Sequence, residues 1–303
     1  GSNPVVGDGP GIRCLKKEED LMAKRKVLIT GGTGYIAGRM LSELRQRYDL
    51  TILDIKDTNR EGEKVEDVII TDLLDKDRDN YRQYFQGVDS VIHCGFIGSA
   101  SQAHRQFWKE LDNVAMCYNI YQTCVEEGVR RAVVCSSNHA ADFYERLIWQ
   151  DKMEFVTPDM IPLSDNYYGW AKISYESLGF VFATGAMTDG IRLENVQLRI
   201  GGPRETDIEG LGASDLKRVH RALGAYLSLR DQVQLIVKSI EAEDIADEKG
   251  VPFQIFYGIS DNTHRFWSIQ NARDVIGYAP EDDSQTRFAN QISGVLAAAK
   301  NES

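Results

Sequence analysis

The chain of 303 residues is 42% hydrophobic and 27% charged, and carries a formal net charge of −11. That apolar content allows an ordinary core, in one large α/β domain or about two smaller ones. The acidic surplus excludes nucleic acid as the main partner, because phosphate binding needs a basic surface; an anionic small substrate needs only one local cation. No apolar run is long enough to cross a membrane.

Residues 1–21 are glycine-rich and then charged, with no helical or strand period. Met22-Ala-Lys-Arg-Lys26 reads as a natural protein start, so the segment before it is expected to be a dispensable extension, a tag or translated upstream sequence. The rival reading is an ordered arm that packs on a neighbour. Val27–Ile29 is a short buried strand that runs into a glycine turn and then a helical pattern over Gly34–Arg47. Strand, glycine turn and helix suit the diphosphate of a dinucleotide. Gly31 permits the tight turn, Gly34 the close approach of backbone to phosphate, and Ala37 close helix–strand packing. Thr33, Tyr35 and Ile36 complete this candidate cradle. Alone, the pattern also describes a βα loop that binds nothing.

Further strands are expected at Leu50–Ile55, Val68–Ile70, Ser90–Cys94, Arg131–Ser136 and Val196–Ile200. Helical patterns lie between them at Arg78–Phe85, Ala103–Glu127 and Gly169–Ala186. This alternation predicts an α/β fold with a doubly wound parallel sheet. After Gly201 the pattern changes: helices near Ser214–Tyr226 and Arg230–Glu241, a strand at Phe253–Tyr257, a helix at Phe266–Tyr278 and a polar C-terminal helix. Pro158, Pro162 and Pro203 mark loops beyond the carboxyl ends of strands five and six, where ligands bind in open α/β sheets. The expected division is 1–21 extension, 22–200 dinucleotide-binding domain with the catalytic residues, and 201–303 mostly a small substrate-binding lobe interleaved with it. Five cysteines, Cys14, Cys94, Cys117, Cys124 and Cys135, form no CxxC pair. They read as reduced residues of a cytoplasmic protein, with neither a disulfide frame nor a metal site.

Asp54 ends the second strand about 20 residues after the glycine turn, where a carboxylate binds both adenosine ribose hydroxyls and repels a 2′-phosphate. It favours NAD; Lys56 and Arg60 nearby keep NADP open. Asp72-Leu73 follows the third strand, as an adenine contact or a helix cap. Tyr168-Gly-Trp-Ala-Lys172 places a phenol and an ammonium at i and i+4 on one helix face. A free phenol, with a pKa of roughly 10, is a poor base at neutral pH, and a nearby cation favours the phenolate. A lone YxxxK usually marks a solvated face, but this one follows a strand that ends in Ser136-Ser137, and a serine there can polarise a substrate oxygen.

Taken in order, TGGTGYIAG, Asp54, Asp72-Leu73, His93-Cys94-Gly95, Asn113, Ser136-Ser137, Tyr168 and Lys172 resemble the extended short-chain dehydrogenase/reductases, the NAD-dependent epimerase/dehydratase superfamily, over nearly the whole chain from Met22. The resemblance implies a Rossmann-type fold, NAD as cofactor, Ser137, Tyr168 and Lys172 as catalytic residues, and Asn113 as support for the active-site helix and a proton-relay water. It extends the cofactor contacts to Cys94 and Gly95. Ser136-Ser-Asn-His139 with Phe143-Tyr144, Leu198-Arg-Ile-Gly201 and Tyr257-Gly-Ile-Ser-Asp-Asn262 are similar to segments of uronate dehydrogenases. By that likeness Ser137, Asn138 and His139 contact a sugar acid, and an arginine binds its carboxylate. Arg204 is the first candidate and Arg199 the second, with a structural strand-end role as the alternative for Arg199. His139 has the alternative of a loop residue without ligand. The stretches Glu145–Ser164 and Glu205–Ala222 look expanded and Phe96–Ser101 differently spaced, which bears on substrate more than on reaction. The leading expectation is an NAD-dependent dehydrogenase that oxidises the C1 hydroxyl of a hexuronate or related aldose to the lactone. A sugar epimerase and a non-catalytic NAD-binding regulator are the alternatives. Members of the superfamily imply a homodimer or higher homo-oligomer, through the helices at Ala103–Glu127 and Gly169–Ala186.

Overall fold

The computed structural model describes residues 24–98, 105–204 and 215–302. The extension 1–21, Cys14, most of the Glu205–Ala222 segment and part of the Phe96–Ser101 loop lie outside the described residues. In chain order the elements are β1 (Lys26–Thr30), α1 (Tyr35–Gly38), α2 (Leu41–Arg47), β2 (Asp49–Asp54), β3 (Val68–Ile70), β4 (Ser90–His93), α3 (Phe107–Glu126), β5 (Arg131–Ser137), α4 (Glu145–Ile148), α5 (Tyr167–Thr184), β6 (Glu194–Ile200), β7 (Gly202–Pro203), α6 (Leu216–Gly224), β8 (Tyr226–Leu227), α7 (Leu229–Glu241), β9 (Phe253–Gly258), α8 (Gln270–Ile276), α9 (Ser284–Arg287) and α10 (Ala289–Glu302).

Among the described residues, seven strands form one sheet in the order β3-β2-β1-β4-β5-β6-β9, with every neighbouring pair parallel. A parallel sheet must be covered on both faces, which is why these strands read as apolar runs. Alternation divides them between two cores. Val27, Ile29, Val133, Leu198 and Phe256 pack with Leu44, Leu235 and Ile240 on one face. Leu28, Val91, Ala132 and Val134 pack with Ile120, Tyr121, Tyr175 and Phe182 on the other. The strand order reverses between β1 and β4, so the turns after these two strands meet at the switch point where ligands bind.

The chain after Gly201 is interleaved with this sheet rather than set apart. β9 extends it beyond β6, and α7 covers one face through Leu235, Ile236 and Ile240. A smaller core joins α6 to the C-terminal helices through Val219, Leu223, Phe288 and Ile292. The expanded stretch after α4 packs on the segment before α8, where Val156 bridges to Trp267 and both are buried with Phe266. That bridge shortens the helix expected at Phe266–Tyr278, because Phe266 and Trp267 are drawn into extended pairing before α8 begins. The helix expected over Gly34–Arg47 breaks between Gly38 and Leu41, and Arg78–Phe85 forms two short 3-10 turns instead of an α-helix.

Buried charge locks the sheet to α5. Arg199, fully buried in β6, donates from Nε and Nη2 to both Glu176 oxygens at 2.8 Å and from Nη1 to Tyr257 Oη at 2.9 Å. The Ser136 hydroxyl donates to the same carboxylate at 2.8 Å. The guanidinium is thus enclosed between β5, β6, β9 and α5, and Arg199 takes the structural role rather than that of a carboxylate receptor. Breaking such a pair leaves a bare buried charge. Arg199→Met alone is expected to lower stability by about 3–5 kcal/mol in urea unfolding, and Arg199→Met with Glu176→Leu to recover much of it. A cost below about 1 kcal/mol for the single variant would show that the pair is screened like a surface one.

Candidate active site

The glycine turn is shaped by contact with the end of β4. Gly31 lies at φ +67°, and a Cβ there would stand 2.7 Å from the Gly95 Cα, so the turn closes against the Cys94-Gly95 backbone only as glycine. The Gly34 N–H donates to the Gly31 carbonyl at 2.9 Å, and α1 starts at Tyr35. Asp54, at the end of β2, accepts at Oδ2 from the Thr33 N–H and hydroxyl at 2.9 and 2.8 Å, and at Oδ1 from the Ile55 N–H at 2.7 Å. This carboxylate and the turn are therefore one unit. Beside it an open groove of about 700 Å³ is lined by Thr33, Gly34, Tyr35, Arg39, Asn59 and Arg60, among others. The Arg39 and Arg60 guanidinium carbons lie 5.4 and 5.0 Å from the Tyr35 ring centroid. The close backbone approach, the carboxylate at the β2 end and a groove within the usual size of a ligand site fit the adenosine and diphosphate of a dinucleotide.

The other expected cofactor residues have mixed placements. Ile36 offers its carbonyl to Gln232 of α7 at 2.9 Å, which anchors the start of the helix. Asp72 accepts from the Leu74 N–H at 2.9 Å, a local turn, and Leu73 is buried in the core. The Cys94 and Cys135 sulfurs lie 3.4 Å apart at the neighbouring ends of β4 and β5.

Ser137, Tyr168 and Lys172 come together at the carboxyl end of β5. Lys172 is buried, and its Nζ donates to the Cys135 carbonyl at 3.0 Å. The same ammonium lies 4.3 Å from the Tyr175 ring centroid and 5.5 Å from that of Tyr168. Burial lowers the Lys172 pKa. Although part of Tyr168 stays open, burial also pushes its phenol up from 10 to about 12, and the Ser137 hydrogen bond pulls the other way. The sequence argument, in which the lysine brings the phenol down, is therefore not the balance in this structure: desolvation wins, and the ammonium is spent on a backbone carbonyl. His93, below the site, shares a 2.8 Å hydrogen bond with Thr30 Oγ1. Burial, with Lys172 second, pushes it down to about 3.

Asn113 of α3 is buried, and it pairs with both backbone groups of Ile97, accepting from N–H at 2.7 Å and donating to the carbonyl at 3.0 Å. This holds the loop after β4, whose Phe96 packs edge-on against Tyr168 at 5.6 Å. Phe96 and Ile97 belong to the Phe96–Ser101 loop marked by its spacing, but neither was given an individual role from sequence. Asn138 is buried, and its Oδ1 lies 3.4 Å from the Ser137 hydroxyl. His139 sits beside Tyr168, with ring centroids 5.5 Å apart. Arg204 follows β7, the two-residue strand that lies over the glycine turn, where the Tyr35 hydroxyl donates to the Pro203 carbonyl at 3.1 Å. Near His139, Arg221 of α6 donates to Glu145 at 2.6 Å and Asp142 at 3.4 Å, and burial pushes the Glu145 carboxyl up to about 7.

The NAD dependent epimerase/dehydratase family profile matches residues 27–195, more than half of the chain. A uronate dehydrogenase of Pseudomonas putida is 29% identical over 265 residues, covering 86% of this chain and 85% of the relative. An NAD-dependent glucose-6-phosphate dehydrogenase of Haloferax volcanii is 28% identical over 279 residues, covering 85% and 94%. The crystal structure of uronate dehydrogenase from Agrobacterium tumefaciens superposes with a TM-score of 0.70 at 23% identity, covering 90% of each chain.

In the cofactor-free protein, Tyr168 is expected to ionise well above the usual value of about 10, toward about 12. Alkaline ultraviolet difference titration of wild type against Tyr168→Phe reads this directly. Ionisation at or below the ordinary value would show that Lys172 outweighs burial.

Proposed function

The chain belongs to the NAD dependent epimerase/dehydratase family, and on that premise we propose that it is an NAD-dependent oxidoreductase that oxidises the C1 hydroxyl of a hexuronate or related aldose to the lactone. The observation that carries the reading is the meeting of Ser137, Tyr168 and Lys172 at the end of β5, with Lys172 docked on the Cys135 carbonyl. The names of the Pseudomonas and Haloferax relatives, both sugar dehydrogenases, support the substrate class.

Thr33, Gly34 and Asp54 would hold the adenosine and diphosphate half of the cofactor. Bound NAD supplies the hydride acceptor. The Ser137 hydroxyl holds the substrate C1 oxygen, and Tyr168 Oη takes its proton as the C1 hydrogen leaves with its electron pair. Lys172 stabilises the phenolate state of Tyr168 by charge. The phenol that burial has raised must release its proton for each turnover, so this charge and that of the oxidised cofactor are what oppose desolvation. Asn138 and His139 line the same end of β5 as sugar contacts, and Arg204 is the candidate cation for a substrate carboxylate. Among the described residues no helix is long and apolar enough to cross a membrane, and the four described cysteines are free thiols, which supports a reducing, cytoplasmic setting. Trp108, Leu111 and Tyr118 on α3 and Phe180 and Val181 on α5 are exposed, which supports a second copy of the chain packing there.

Tyr168→Phe is expected to lower turnover by about 10²–10⁴-fold while NADH binding, read by fluorescence, persists. Assays with NAD and a panel of uronic acids, aldoses and sugar phosphates should yield NADH stoichiometrically. Sugar isomerisation without net NADH would replace the reading with an epimerase, and tight NAD binding without any turnover with a regulator. Light scattering should give the mass of a dimer or larger assembly, and Trp108→Glu with Phe180→Glu should shift it toward the monomer; a monomeric wild type overturns that part.

A further inference from the structure

The turn that follows Ser137 holds an acidic residue whose contacts reach three separate segments. Residues Asn138–Tyr144 form two short 3-10 turns that meet at a kink at Ala141, which lies between His139 and Asp142. Across this kink the Asp142 carboxylate reaches His139, Nδ1 to Oδ2 at 2.6 Å. The same Oδ2 accepts from Asn166 Nδ2 at 3.0 Å, and Oδ1 from Arg221 Nη2 at 3.4 Å. Asn166 is the N-cap of α5, its Oδ1 accepting from the Gly169 N–H at 2.9 Å. The helix start presses so closely on this turn that a Cβ at Gly169 would stand 2.2 Å from the His139 carbonyl. The side chain of His139 remains 28% exposed, beside Tyr168.

A carboxylate offers only acceptors, so the hydrogen bond to His139 requires the proton to sit on Nδ1. In a neutral ring that bond leaves the lone pair on Nε2. We propose that Asp142 is a positioning residue: it fixes the His139 ring and its Nδ1–H tautomer, so that Nε2 stands beside Tyr168 as an acceptor for a substrate hydroxyl. Second partners of this kind set which ring nitrogen meets the ligand. Asn166 and Arg221 donate to the carboxylate from α5 and α6, while the tautomer is set by the carboxylate itself. The inference rests on the reading of Ser137, Tyr168 and Lys172 as the active centre.

The test has an arm that needs no turnover. In the cofactor-free protein with ¹⁵N-labelled histidine, the resonances lost in His139→Gln assign this ring, and its nitrogen shifts report the tautomer. Wild type should show the Nδ1–H form, and Asp142→Ala should move the population to Nε2–H. Arg221→Met, which removes an Asp142 partner and not the carboxylate, should keep Nδ1–H. If Asp142→Ala fails to fold, the isosteric Asp142→Asn should move the population in the same direction. In the kinetic arm, Asp142→Ala should lower kcat/KM for the sugar by about 10–100-fold, leaving the NADH affinity within about twofold, whereas in a His139→Gln background it should cost little more. An Nδ1–H tautomer that survives Asp142→Ala, or losses that multiply fully in the double variant, would overturn the proposal. Absence of turnover with every sugar would strike the functional reading instead, and the tautomer shifts would still decide the role of Asp142.

Discussion

The placement of Tyr168 and Lys172 is tied to one buried ion pair, Arg199 with Glu176. Tyr168, Lys172 and Glu176 are spaced at i, i+4 and i+8, so they lie along one face of α5. Glu176 is fixed from the sheet by two charge-assisted hydrogen bonds in a fork geometry, which restrains rotation of the helix as well as its distance. One turn toward the N-terminus, Lys172 reaches the Cys135 carbonyl. One turn further, Tyr168 emerges past the edge of β5 beside Ser137. A helix held only by apolar contacts would tolerate small rotations, and displacements of this size matter for a proton transfer at hydrogen-bond range. The charge is costly to bury, and its value here is geometric.

The electrostatics of the site follow from the same enclosure. Phe96 packs edge-on against Tyr168 on a loop tied to Asn113, and burial pushes the phenol pKa up. The lysine below is desolvated too, and its ammonium is disfavoured. Both shifts oppose the charges of a phenolate and an ammonium. The glycine turn is different. It is completed by contacts within the chain, with Asp54 bonded to Thr33 and Gly31 closed on Gly95.

The substrate side is assembled from distant parts of the chain. The stretch after α4 packs on Phe266 and Trp267, and α6 sends Arg221 to Asp142 and Glu145. These contacts join the turn after β5 to the C-terminal lobe. Sequence variation in either partner would alter the surroundings of Asn138 and His139 without touching the strand ends.

Most of the fold was legible in the sequence. All seven strands of the parallel sheet, the glycine turn, Asp54 and the Tyr168–Lys172 spacing are local patterns, set by periodicity of two or 3.6 and by backbone sterics. The residues of the proposed site were legible as a group for the same reason, since they sit at strand ends and on one helix face. Three expected helices were overestimated: Phe266–Tyr278, where extended pairing with Val156 competes with propensity, Gly34–Arg47, which breaks after Gly38, and Arg78–Phe85, which forms 3-10 turns. Asn166 and Asp142 were assigned no role from sequence, and Phe96 was marked only through the spacing of its loop. The fate of Arg199 was decided by tertiary structure, because an arginine at a strand end reads alike whether it faces a ligand or a buried carboxylate 23 residues away. The same holds for Tyr168: sequence spacing places a cation near the phenol, but only the packed interior determines that desolvation outweighs it, because burial is a property of the surrounding chain and not of the motif.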